Sequence, residues 1–561
     1  MNVNRVIYSY ATKITDKQFI LPSGKILQQT ARVTFRDVNK NIIERREYGV
    51  TDIDKLYTDI NNGKDIDISN QYIKNFSSTK YRKLFKIKSE EYIDLINFSA
   101  YDSIFEAGRL VDFSFCNFTG EKADFSSCHF GLGNLSFKNS KFGDFNVDFS
   151  NTSYSEGNNI FQYVQFGTGK ISFENASFIN GNISYINTSF GDGNVNFKNV
   201  NFGDGNVTFS FSSFGKGSVM YDRCRFNGLS VDFSKVEFGA GRVYFRRVDF
   251  GDSEVSFREI EHHGSEKINF RRAKFGNRSI TFEDALFGGS DVLFDETEFK
   301  KGSVSFLNIE ANSLSFSKCL LSNYIDFRVK KCDSINLSNS IIRDILEFKP
   351  GIAPVELNTL YLQGVRLLGK VFISWDENKA YNLIKNQKNT SLKEKAEQFR
   401  ILKEDFRTSG NYNDEDKAYV YFKRYELRTL YTSKIKANKL NKLLYLPLVI
   451  FQKLILDFMG LYATSPIRVL ISILIANVIY SFIYISFLVS KTGHISCIDD
   501  NMNFMYKFLD SIYFSSITFF TIGYGECVPT GLLKIIAPIE GFTGVFLMSY
   551  FTVAFVRKIL R

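Results

Sequence analysis

Phenylalanine returns every twelve residues along the middle of this chain, at Phe118, Phe130, Phe142, Phe166, Phe178 and on to Phe250, with Tyr154 filling the gap. After a one-residue slip the series resumes at Phe275, Phe287 and Phe299. A second aromatic rides seven residues later, from Phe137, Phe149 and Phe161 through Phe209 to Phe306. Two residues before it stands an aliphatic side chain, as in Val195, Val207, Val219, Val231, Val243 and Val255. Each unit therefore holds a short apolar–polar–apolar strand, and Gly-x-Gly turns such as Gly191-Asp192-Gly193 separate the units. A strand this short buries its inward side chains only against the same strand in the coils above and below. The period predicts a right-handed parallel β-solenoid over residues 110–377, cored by stacked phenylalanine and less regular beyond Phe306.

Val195-x-Phe197-x-x-Val200-x-Phe202 reads as two successive five-residue units in which a large and a smaller apolar residue point inward. The segment from about 110 to 345 resembles the pentapeptide-repeat family, whose fold is a four-sided β-helix. Two extra residues follow each pair, which implies coils of about 24 residues built from two such units. Members of that family that mimic DNA carry a strongly acidic surface. Here acidic and basic side chains nearly balance between residues 101 and 350, so the net charge of +10 comes from elsewhere in the chain. The basic excess lies where the chain approaches its apolar C-terminal region, which favours an anionic lipid surface over nucleic acid. Arg223, Arg225, Arg246, Arg247, Arg271 and Arg272 recur near 24-residue spacing and read either as a ladder on one solenoid face or, as the preferred reading, as an ordinary solvated face.

Residues 1–109 are non-repetitive and read as a mixed α/β cap that protects the first coil from edge-to-edge association, with a strand at Ala31–Phe35 and a helix at Thr51–Asn61. Residues 378–465 read as a linker. Phe399, Leu402 and Phe406, then Tyr419, Phe422, Leu427 and Leu430, have helical spacing and are broken by Ser409-Gly410-Asn411, which predicts an αα-hairpin. Leu440–Tyr462 mixes leucines with Lys442, Lys453 and Asp457, the pattern of a helix lying at a membrane interface.

The last region, 466–561, begins with an apolar run from Ile467 to Val489, the length needed to cross about 30 Å of hydrocarbon. A second run spans Leu532–Val556, interrupted by Lys534, Pro538 and Glu540 near one end and closed by Arg557-Lys558. Between them Asp510–Phe520 is too short to span but suits a half-helix. Thr521-Ile522-Gly523-Tyr524-Gly525 follows it. Adjacent carbonyls of such a stretch point at one axis only if some residues take φ > 0, which glycine does at little cost.

Span, half-helix, Thr-Ile-Gly-Tyr-Gly, span: this order resembles the two-helix potassium channel family of bacteria and archaea over about residues 460–561. The resemblance implies a homotetramer in the cell membrane with both termini cytoplasmic. K⁺ would be the permeant ion, coordinated by the carbonyls of Thr521, Ile522, Gly523 and Tyr524 with the Thr521 hydroxyl. Lys434, Lys436, Lys439, Lys442 and Lys453 before the first span, and Arg557, Lys558 and Arg561 after the second, match cytoplasmic ends. Asp499, Asp500 and Glu526 fall in the outer loop, as a field for cations or as solvated charge. Two positions depart from the family, which commonly has Asp at 526 and Thr at 520; here these are Glu526 and Phe520. Tyr513 occupies the position from which an aromatic hydrogen-bonds the residue after the filter, so Tyr513 and Glu526 are the expected filter supports. Gly544, with Gly541 one turn earlier, stands where the family bends its inner helix; both also suit close packing. No row of arginines marks a voltage sensor.

The four histidines, His129, His262, His263 and His494, lack metal-ligand spacing, and the adjacent pair falls at the slip in the repeat, where a loop is expected. Cys116, Cys128, Cys224, Cys319 and Cys332 read as buried thiols in a reducing compartment, while Cys497 and Cys527 would lie outside and could pair, at a distance the sequence does not give. No enzyme signature, cofactor motif or N-terminal signal peptide appears, and no carboxylate cluster recurs at coil-related positions. The chain reads as a potassium channel gated through its solenoid by a cytoplasmic ligand or protein. The alternative is a solenoid scaffold that uses the pore region as a tetrameric membrane anchor.

Overall fold

The computed structural model describes residues 7–435, 439–499 and 502–560; the side chains of residue 435 and of residues 439–444 are outside the description, as are Lys436, Asp500 and Arg561. Two compact units divide the chain, Met1–Gln387 and Lys388–Arg561.

The first unit is a parallel β-solenoid of about 14 turns over residues 49–372. Its register follows the repeat: Val147 pairs with Ile171, Ile171 with Val195, Val195 with Val219 and Val219 with Val243. Twelve residues out of phase, Asn159, Ile183, Val207 and Val231 form a second ladder. Two more follow Phe130, Tyr154 and Phe178, and Gln165, Ser189 and Ser213, so each coil has four faces. The slip is absorbed between His262 and Ile268, where Val243 pairs with Ile268.

Each face sends one ring inward. Phe209 is fully buried, stacked on Tyr185 at 4.6 Å and on Phe233 at 4.9 Å, both nearly coplanar, and meets Phe197 edge-on at 5.6 Å. Such pairs add about 0.5–1.5 kcal/mol each beyond area burial. Two residues after the ring the chain turns a corner in the left-handed region, at Asn139, Asn151, Asn175, Asn187 and Asn199 among others. Asparagine tolerates that conformation, and the Asn175 amide donates to Asn151 at 3.1 Å while Asn199 donates to Asn175 at 3.0 Å. At the turns stacked backbones nearly touch: a Cβ on Gly193 would sit 1.9 Å from the Gly169 carbonyl oxygen.

The parallel pairing begins well before residue 110. Strands Ser9–Thr15, Thr30–Arg36 and Ile42–Val50 form an antiparallel meander, and from Gly49 and Val50, which pair with Gln71 and Tyr72, the strands run parallel. Helices α1 (Ile53–Asn61, capped by the Asp52 carboxylate) and α2 (Ser78–Leu84) are inserted in these first coils. Tyr72 therefore pairs with Ile104 over a longer stride, which hides the twelve-residue period. The meander extends the face that carries Phe105 and Phe130, and Tyr10 and Phe35 pack edge-on against the His129 ring. Burial there pushes the His129 pKa down to about 3.

His262 is not in a loop. It takes a ring position in the stack, paired with Phe238 in the ladder and 3% exposed, with its Nε2 at the Gly241 carbonyl and its Nδ1 at the Ser290 hydroxyl. Of the adjacent pair, His263 faces solvent. Cys116, Cys128, Cys224, Cys319 and Cys332 are buried free thiols. At the far end Asn378 donates to the Phe348 carbonyl, and α3 (Ala380–Lys385) belongs to this unit, which ends at Gln387 rather than at 377.

In the second unit α4 (Leu392–Thr408) starts on a capping box between Ser391 and Glu394, turns at Gly410 and returns as α5 (Tyr412–Leu430), the predicted hairpin. Phe399, Leu402 and Phe406 are buried as expected. On α5 the buried set is Glu415, Asp416, Ala418, Val420 and Tyr425, while Tyr419, Phe422, Leu427 and Leu430 are half-buried. The segment read as one interfacial helix is α6 (Lys439–Phe451) followed by π-helix at Gln452–Phe458, with Leu448, Phe451, Leu454 and Phe458 exposed. Then come α7 (Pro466–Val489), α8 (Phe504–Phe519) and α9 (Leu533–Ile559).

Candidate ion pore

Helices α7 and α9 are long and apolar enough to cross a membrane, and α8, which starts six residues before the expected half-helix, lies between them in sequence. Their packing has two layers. Where α7 ends and α9 begins, Tyr484, Leu488, Ile495, Ile498, Phe514, Ile517 and Leu533 form one apolar cluster; where α7 begins and α9 ends, Val469, Ile473, Phe519, Leu547, Tyr550 and Ala554 form another. Between them sits Glu540 of α9, fully buried, accepting hydrogen bonds from the Tyr484 hydroxyl of α7 and the Ser515 hydroxyl of α8. Ser515 also reaches the Asn477 carbonyl at 3.1 Å. A buried carboxyl group satisfied from two other helices fixes all three at one level, because losing either partner leaves a polar group unpaired in an apolar core.

The Thr521–Gly525 segment leaves the C-terminal end of α8. Thr521 N–H donates to the Thr518 carbonyl and Ile522 N–H to the Ile517 carbonyl. Gly523 and Gly525 take φ of 60° and 81°, and Thr521 itself is left-handed at 54°. A side chain at either glycine would be strained, since few L-residues hold that conformation. The C-terminal end of α8 directs its carbonyl dipoles at the start of this segment, a favourable field for a cation. In the single chain the segment is uncovered, with Ile522 50% and Tyr524 64% exposed.

The segment is anchored by the loop before α8 rather than by α8 itself. Tyr513 is 45% exposed and its hydroxyl has no hydrogen-bond partner among the described residues, so the expected Tyr513–Glu526 brace is not formed within one chain. Instead Cys497 and Cys527 form a disulfide across 5.0 Å of Cα separation. Ser496 donates to the Glu526 carbonyl at 3.0 Å and accepts from Val528 N–H at 2.8 Å, and Thr530 N–H donates to the His494 carbonyl. The paired cysteines beside Glu526 were the sequence signal for this clamp; a lone serine in a polar loop carried none.

Gly544 faces the end of α8. A Cβ there would lie 1.9 Å from the Phe519 carbonyl oxygen, so the glycine lets α9 approach the last residue of α8. Gly541 has more room, 3.7 Å from the Thr518 carbonyl. Helix α9 is continuous through both. Phe520 packs its ring edge-on against Phe519.

At its far end α9 is held by the hairpin. Arg557 lies 3.1 Å from Asp416 and 3.7 Å from Glu415, with its guanidinium over the Tyr419 ring at 4.4 Å, and Lys558 reaches Asp416 at 2.9 Å. Arg424 makes a bidentate pair with Asp457. Leu461, Tyr462 and Ala463, just before α7, are three consecutive left-handed residues, a costly conformation that persists only where surroundings impose it. Tyr550 of α9 imposes it: its hydroxyl donates to the Leu456 carbonyl and accepts from Ala463 N–H, each at 2.9 Å. Neither the buried acids of α5 nor this joint had a signal in the sequence.

Residues 468–561 match the family model described as ion channel. No curated protein and no solved structure matches the chain. The chain therefore carries an ion channel domain with two membrane-length helices at its C-terminus and a parallel β-solenoid before it.

Proposed function

We propose that the ion channel domain at the C-terminus is a K⁺-selective pore made by four copies of this chain, and that the β-solenoid regulates its opening. The observation that carries this reading is Thr521–Gly525, with left-handed glycines at 523 and 525, at the C-terminal end of a short helix between two membrane-length helices. That sequence and those backbone angles suit a row of carbonyls that replaces the hydration shell of K⁺. Exposure of Ile522 and Tyr524 in one chain fits their being covered by neighbouring copies around a common axis. The clustered basic residues at the α7 entry and the α9 exit favour cytoplasmic placement of both ends.

For gating, α9 must move at the end that Asp416 and Glu415 hold. The hairpin is the covalent continuation of the solenoid, so a displacement of α4 and α5 is delivered to Arg557 and Lys558. Bending at Gly544 would carry that movement to the Phe519 carbonyl and the filter entrance. Recording purified full-length protein in planar bilayers tests the reading. Unitary currents carried by K⁺ and not by Na⁺ are expected; a well-folded tetramer without current would leave the membrane-anchored scaffold.

A further inference from the structure

Along one corner of the solenoid the left-handed position is occupied, coil by coil, by Asn151, Asn175, Asn199, Arg223, Arg247, Arg272 and Glu296. The first three form the amide ladder already described. The fold therefore needs nothing more than asparagine there, a residue that suits the conformation better than arginine does. Three successive arginines at such a position break a local preference, and of the three Arg272 alone gains an ion pair among the described residues, with Glu296; such a break is the pattern expected at a functional site.

Their surroundings form a groove. A cavity of about 590 Å³ is lined by Lys198, Arg223, Arg246, Arg247, Arg271 and Arg272 against three acids, Glu174, Asp222 and Glu296. Some of these arginines are tethered: Arg246 to Asp222, Arg271 to Asp295 at 2.7 Å, and Arg272 to Glu296 at 2.8 Å. Arg246 also lies over the Tyr244 ring at 4.8 Å. Arg223 and Arg247 have no ion-pair partner among the described residues, although the Arg223 N–H bonds the Arg246 carbonyl and the Arg247 N–H bonds the Arg271 carbonyl. Arg225 is not part of the groove; it lies on another face, between Asn201 and Asp249.

We propose that this corner groove binds a small, multiply phosphorylated anion, with Arg223 and Arg247 as its principal ligands. Successive coils sit about 4.8 Å apart, so two unpaired guanidinium groups one coil apart repel each other and together meet neighbouring phosphoryl groups of one molecule. The planar fork of arginine suits bidentate contact with phosphate oxygens. Asp222 and Asp295 hold Arg246 and Arg271 in place on either side. The cationic stretch covers only a few coils of a charge-balanced solenoid, which matches a small ligand rather than a nucleic acid. Binding at this site does not depend on the solenoid's regulating the pore: the site is read by calorimetry and regulation by currents.

The test is isothermal titration of the purified full-length chain with inorganic tripolyphosphate, beside the variant R223N/R247N and the control K300Q/K301Q, which changes two lysines outside the groove. Asparagine is what the same column carries at 199, so the variant keeps the fold, and matching unfolding temperatures check this. Saturable binding is expected in the wild type and the control, weakened about tenfold or more in R223N/R247N. Repeating the titration in nanodiscs with and without phosphatidylinositol phosphate separates the sources. Unchanged heat in both points to a soluble phosphorylated ligand, and heat lost only with that lipid points to its headgroup. Absence of saturable binding, or equal affinity in R223N/R247N and the wild type, overturns the proposal.

Discussion

The solenoid and the pore region are both apolar at heart, yet they settle their needs differently. In the solenoid every inward ring finds its neighbours in the same chain, as Phe209 does between Tyr185 and Phe233. In the pore region the residues with the clearest chemistry, Ile522 and Tyr524, are left exposed by their own chain, as are Phe542 of α9 and Phe482 of α7. A repeat completes itself by adding coils, whereas a pore must be completed by copies and by lipid. The solenoid should therefore respond to mutation as an ordinary folded core, and the pore region through assembly and conduction.

The sharpest way to break that contrast is to remove a ring. Phe209→Ala leaves a cavity in a stack fixed by coils on both sides and should destabilise the solenoid by about 3–5 kcal/mol, read as a lower unfolding midpoint with the currents of the folded fraction unchanged. An unchanged midpoint would mean that the stack repacks freely.

Acid sharpens it further. His129 is buried neutral and its pKa lies near 3, against about 6.5 in the unfolded chain. The unfolded state therefore binds the proton first. The stability that comes from keeping His129 neutral is complete above pH 6.5 and is lost as the pH falls toward 3, by up to about 4 kcal/mol. Denaturant midpoints measured across that window should fall less steeply for His129→Gln than for the wild type; parallel slopes would show that His129 is accessible to protons in the native state.

Asp416→Ala is the smaller change in stability, up to about 1 kcal/mol for ion pairs whose basic partners are partly exposed, but it strikes the joint through which the hairpin holds α9. Open probability should shift by about fivefold or more, with selectivity retained. A single-channel record identical to the wild type would remove the hairpin from the gating route.

Legibility in the sequence follows the same contrast. The phenylalanine period revealed the ladder register and the inward ring positions, because each coil repeats one physical solution. It failed where coils carry insertions: α1 and α2 stretch the strides before residue 110, and His262 occupies a ring position where the adjacent histidines read as a loop. In the pore region the spans and Thr521–Gly525 were legible as local patterns. The clamp by Ser496 and the buried acids Glu415 and Asp416 were not, since each depends on a partner about 30 or more residues away. A helical wheel places such acids in solvent; Arg557 and Lys558, far along the chain, help to make burying them favourable.

The central claim, that Thr521–Gly525 selects K⁺, is tested most directly by the reversal potential under K⁺ on one side of a bilayer and Na⁺ on the other, for the wild type and Tyr524→Ala. The account predicts a potential near the K⁺ equilibrium value for the wild type and near zero for the variant, whose solenoid unfolds at an unchanged midpoint. A variant that still discriminates K⁺ from Na⁺, or a wild type that passes both equally, would contradict it.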